Sequence, residues 1–104
     1  MTFGAYISEA RKRASLSQKD LASRISKEDG EQISPQYLND IEHDRRNPPG
    51  EFILNQLADE LNLSLDFLRY LSGRLAPDDI QQAQEPEKVE AAFKAFRRVI
   101  KGGN

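Results

Sequence analysis

Helix punctuation is the feature that most restricts how this chain can fold. Thr2, Ser17, Ser34 and Ser64 each stand just before a stretch whose apolar residues recur at helical spacing. A hydroxyl in that position accepts a hydrogen bond from one of the backbone N–H groups that an α-helix leaves unpaired at its start. Stops are as plain: Pro48-Pro49-Gly50 and Gly73 follow the apolar runs, and proline lacks the N–H that a continuing helix needs. Cut at these points, the chain reads as a series of short helices, an all-α fold.

Thr2 opens a helix from Phe3 to Arg13, with Phe3, Ile7 and Ala10, or the stem of Arg11, on one face. Its last turn carries Arg11, Lys12 and Arg13, which complement the negative end of the helix. Ser17 caps a second helix and is followed three residues later by Asp20, a variant of the capping box. Leu21, Ala22 and Ile25 form its core side. Gln18 and Lys19 then lie at the positive end of a helix, where they are candidates to grip a phosphate. Between Ser26 and Gln32 the apolar periodicity lapses and Asp29-Gly30 signals a turn, after which Ile33 resumes the core. Helix, polar turn and short helix in succession make a helix-turn-helix layout with an expanded turn.

The third helix, from the Ser34 cap to Glu42, carries the chemistry. Pro35 suits its first position because the missing N–H would be unpaired there in any case. At about 100° per residue, Leu38, Ile41 and Glu42 point one way, while Gln36, Asn39, Asp40 and His43 point roughly the other. Glutamine and asparagine present a donor and an acceptor side by side, which is what recognition of a base edge in a DNA major groove requires. Gln36, Tyr37, Asn39 and Asp40 are therefore the candidate base-reading residues. Arg45, Arg46 and Asn47 follow the helix immediately and are placed to meet the sugar-phosphate backbone.

Phe52, Ile53, Leu54, Leu57, Ala58 and Leu61 predict a core helix over Glu51 to Leu61, and Leu65, Phe67, Leu68 and Leu71 predict another that stops at Gly73. Residues 1–73 then form a five-helix domain. Residues 74–86 are polar and read as a linker or short helical turn. A last helix is expected at 87–101, with an apolar stripe of Val89, Ala92, Phe93, Phe96 and Ile100. An isolated amphipathic helix of that length is marginal in water, so the stripe must dock on its own subunit, on a second copy or on a partner protein.

Charge and composition narrow the function. A net charge of -2 argues against an indiscriminate nucleic-acid coat, although the first half holds basic residues that can form a local basic surface. Absence of cysteine removes disulfides, thiolate chemistry and cysteine-based zinc sites. One histidine, His43, and dispersed glycines leave no metal cage, phosphate loop or nucleophile–base set. No enzyme and no cofactor are expected. No signal peptide or membrane-spanning run is visible, and a cytoplasmic location is the default.

Leu16-Ser17-Gln18-Lys19-Asp20-Leu21-Ala22, then Ile33 to Glu42, then Arg45-Arg46-Asn47-Pro48 and Leu57-Ala58-Asp59-Glu60-Leu61 together resemble the phage-repressor and Cro type of helix-turn-helix regulators, the XRE family. The likeness spans about Phe3 to Ser72. It implies a five-helix, lambda-repressor-like DNA-binding domain whose second helix braces the DNA backbone and whose third enters the major groove. By the same resemblance Gln18 matches a phosphate-contacting glutamine, Gln36 and Asp40 match base-reading positions, and Glu42 matches the acidic residue that closes the recognition helix. This chain departs in its long turn and in Pro35, which stands where many relatives place a base-contacting side chain. The expectation is a sequence-specific transcriptional regulator, a homodimeric repressor on an inverted-repeat operator in double-stranded DNA. The alternative is an antitoxin-like interaction module whose C-terminal helix binds a partner protein.

Overall fold

Every hydroxyl expected to cap a helix does so in the computed structural model, which describes residues 1–73. The linker at 74–86 and the stripe of Val89, Ala92, Phe93, Phe96 and Ile100 lie outside the described residues. Thr2 accepts from Ala5 N–H and opens α1, Phe3–Arg13. Ser17 accepts from Asp20 N–H while the Asp20 carboxylate accepts from Ser17 N–H, closing a capping box at the head of α2, Gln18–Ala22. The hydrogen bond from Ser17 N–H holds the Asp20 carboxyl below its ordinary range. Ser34 caps α3, Pro35–Glu42, through Tyr37 N–H. Gly50 precedes α4, Glu51–Leu61, which ends on Asn62 in the left-handed conformation, and Ser64 caps α5, Leu65–Leu71. The described residues are all-α, with no strand beyond one isolated bridge between Ser26 and Gln32.

Short helices of this kind cohere only by packing. Here α1 and α2 both lie against α3, and α4 pairs with α5. Ile7, Leu21, Ile25, Leu38, Leu54, Leu57 and Leu68 are the fully sequestered large side chains, drawn from all five helices and from the segment after α2. Gly4 lets α1 reach α3: a Cβ there would stand 2.6 Å from the Glu42 carbonyl oxygen and press on the Ile41 carbonyl as well.

Several expectations need correction. Phe52 is 45% exposed rather than part of the core; it lies two residues before Leu54, about 200° round the helix from it. In α5 only Leu68 is buried, while Leu65 and Leu71 are half-buried against the core and Phe67 stacks edge-on with Tyr6, their ring centroids 5.0 Å apart. The α2 helix stops at Ala22, three residues short of Ile25. Arg11, one of the three cations in the last turn of α1, is buried together with its charge.

The expanded turn is built rather than slack. Ser26 and Gln32 face one another across it, Ile33 N–H donates to Ile25 C=O, and Gly30, at φ 90°, makes the reversal. Gln56 of α4 pins its base by accepting from Ser26 N–H and donating to Ser26 C=O, both at 2.8 Å.

Candidate nucleic-acid interface

The inner face of α3 is bolted to the domain by a buried ion pair. Arg11 donates from Nε to Glu42 Oε2 at 2.7 Å and from Nη2 to Glu42 Oε1 at 2.9 Å, a bidentate fork, and from Nη1 to the Leu16 carbonyl. Burial by itself pushes the Glu42 carboxyl up; hydrogen bonds from Arg11 and Gln18 outweigh it and hold that carboxyl below its ordinary range. The hydrogen bond to Glu42 in turn raises Arg11. No buried side-chain nitrogen or oxygen among the described residues lacks a partner.

From that pair the order continues outward. Gln18 Nε2 donates to Glu42 Oε1 at 3.0 Å and to Asn39 Oδ1 at 3.1 Å. A carboxylate only accepts, so Gln18 must turn its nitrogen to Glu42, and Asn39 must then turn its oxygen to Gln18. The Asn39 amide nitrogen is thereby directed away from Gln18. The sequence places Gln18 at a phosphate; in the structure its amide hydrogens serve Glu42 and Asn39.

On the outer face, Gln36 Nε2 donates to Asp40 Oδ1 at 3.0 Å, one turn along the helix. The Arg45 guanidinium lies 3.7 Å from the same oxygen. Arg46 stacks over the half-buried Tyr37 ring, 4.7 Å from its centroid. The structure thus gathers Gln36, Asp40 and Arg45 into one cluster, Tyr37 and Arg46 into a second, and Gln18 and Asn39 into a third. Lys19 and Asn47 are exposed and stand apart from these clusters.

One residue of the site escapes the sequence reading. Asp44 takes the left-handed conformation, φ 57°, just past the end of α3. Its carboxylate accepts from Thr2 Oγ1 at 2.6 Å and from Gly4 N–H at 3.0 Å. It therefore ties the exit of α3 to the start of α1 and fixes where Arg45 and Arg46 leave the domain. Aspartate tolerates this conformation better than most residues, but partners some forty positions away leave no local pattern to read.

Comparison with known proteins agrees with this architecture. The helix-turn-helix family matches residues 7–68. Uncharacterised HTH-type transcriptional regulators from two strains of Mycobacterium tuberculosis, CDC 1551 / Oshkosh and H37Rv, are each 29% identical over 97 residues, covering 93% of this chain. The chain spans 64% of the length of these relatives. Among solved structures, the SinR protein/SinI protein complex contains a chain of similar fold, with a TM-score of 0.55 and 19% identity over 98% of this chain and 94% of that one. The match from α1 to α5, on a domain with this helix order, places the chain in the XRE-type helix-turn-helix family.

Proposed function

We propose that the chain is a sequence-specific DNA-binding transcriptional regulator, a homodimeric repressor that sets α3 into the major groove of an inverted-repeat operator. The observation that carries this reading is the division of α3 into two faces. Leu38, Ile41 and Glu42 are buried, while the exposed Gln36 amide is held by Asp40 on the far side and the half-buried Asn39 amide is held by Gln18 at the edge between the two faces. Pre-set donors and acceptors on a helix that fits the groove are the requirement for reading base edges. In this reading Gln36, Tyr37, Asn39 and Asp40 form the base-facing surface. Gln18 and Lys19 at the head of α2, and Arg45, Arg46 and Asn47 beyond α3, approach phosphates on either side. Cytoplasmic location follows from it, and no helix among the described residues is long and apolar enough to cross a membrane.

Selection of binding sites from random duplexes by the purified chain tests this reading. A symmetric site is expected, with half-sites about 10 base pairs apart centre to centre. Gln36→Ala should relax preference at one position by roughly 1 to 3 kcal/mol. Unchanged affinity and unchanged preference in that variant would remove α3 as the reading element.

A second reading, an antitoxin-like interaction module, is favoured by the apolar stripe Val89, Ala92, Phe93, Phe96 and Ile100. Truncation after Gly73 separates the two. Loss of self-association with weaker operator binding favours a dimer helix, whereas unchanged self-association favours a tail that binds another protein.

A further inference from the structure

We infer that Asp40 is the positioning residue for Gln36, and that the pair presents a single recognition edge whose ligand is adenine; the inference rests on the groove-docked reading of α3. Gln36 is exposed and has rotamer freedom to lose, so what it reads depends on what holds it. The Asp40 carboxylate, 3.0 Å away, can only accept, which forces Gln36 to turn its amide nitrogen toward Asp40. One N–H of Gln36 is thereby engaged. The second N–H and the carbonyl oxygen remain, one donor and one acceptor on the same planar group. Adenine offers the matching set on a single base in the major groove, N7 as acceptor and the N6 amine as donor, whereas guanine by itself offers two acceptors and the glutamine oxygen would have to reach across the pair to the cytosine amine.

The same carboxylate oxygen lies 3.7 Å from the Arg45 guanidinium. That cation offsets the charge that Asp40 would otherwise bring toward the phosphates, and it gives Asp40 a reason to remain beside Gln36 rather than reach for a base of its own. Asp40 acts here through Gln36, and the two side chains together specify one base pair.

Binding-site selection with the full chain and the variants Gln36→Ala, Asp40→Ala and Asp40→Asn tests the assignment. Gln36→Ala is expected to flatten an adenine preference at one base pair by roughly 5- to 150-fold. Asp40→Ala should flatten the same base pair by a smaller factor, while its affinity for random duplex rises as a negative charge leaves the interface. Asp40→Asn, whose amide oxygen can still accept from Gln36, should recover most of the preference. A merely structural Asp40 would weaken all sites alike. The inference is overturned if Asp40→Ala erases a cytosine preference at a different base pair, as a direct contact to the cytosine amine would require. It is overturned equally if Asp40→Ala leaves the Gln36 base pair intact, or if the preference lost in Gln36→Ala is not for adenine. Absence of any effect from Gln36→Ala would instead remove the groove-docked reading itself.

Discussion

The two faces of α3 hold their polar groups by opposite means. Beneath the helix, Arg11 and Glu42 are buried, joined by two hydrogen bonds, and extended by Gln18 to Asn39. Above it, the side chains of Gln36, Asp40 and Arg45 are tied by one hydrogen bond and one longer ionic approach, with the Arg45 side chain 59% exposed. A buried charge that loses its partner cannot recover it from water, so the lower network fixes the position of the helix. Solvated contacts are individually weak, so the upper network can orient side chains and still exchange its partners for DNA.

Breaking the lower network should have the largest effect. Glu42→Ala leaves Arg11 charged and enclosed and is expected to cost about 3 to 5 kcal/mol in denaturant unfolding. A loss below about 1 kcal/mol would mean that water reaches Arg11 freely. Acid probes the same pair with a definite sign. Because the Glu42 carboxyl is lower in the folded chain than its ordinary value of 4.5, its contribution is complete above that value and is lost as pH falls through the folded one. Stability should therefore drop on acidification below that range, and Glu42→Gln should flatten the drop.

Next in size is the contact that seats α1 on α3. Gly4→Ala puts a methyl against two backbone carbonyls and should cost about 1 to 3 kcal/mol, read from thermal or denaturant midpoints. Asp44→Ala removes the tie to Thr2 and Gly4 and places alanine at a positive φ, for an expected loss of about 1 to 2 kcal/mol. A neutral Asp44→Ala would show that α3 and α1 do not need this second fastening.

The upper network should respond in binding rather than in stability. Arg45→Ala and Arg46→Ala are expected to leave unfolding nearly unchanged and to reduce the slope of log affinity against log salt by about one unit each. The exposed pair of Arg24 and Glu60, 3.6 Å apart, supplies the baseline: removing either partner should change stability by less than about 1 kcal/mol.

The legibility of these regions follows the range of the forces that form them. Helix starts were readable because a cap and its N–H partner lie within three residues, as at Ser34 and Tyr37. The inward set of Leu38, Ile41 and Glu42 was readable because periodicity alone assigns a face. Arg11 was not, since its partner is 31 positions away and its local setting, the last turn of a helix, offers an ordinary role for a cation. The same holds for Gln56, which acts as a strand-like partner for Ser26, and for Asp44. The exposure of Phe52 is not legible because α4 is apolar over more of its circumference than the core can cover, and periodicity does not say which edge remains wet.

The central claim, that α3 meets DNA with its outer face while its inner face stays locked, is tested most directly by isotope-edited NMR of the full chain titrated with a duplex recovered by selection. The account predicts that side-chain amide signals of Gln36 and Asn39, and backbone signals around Asp40, Arg45 and Arg46, move most, while those of Leu54, Leu57 and Leu68 stay in place. Largest shifts on α4 and α5 with α3 unmoved, or a selection that recovers no duplex, would contradict it.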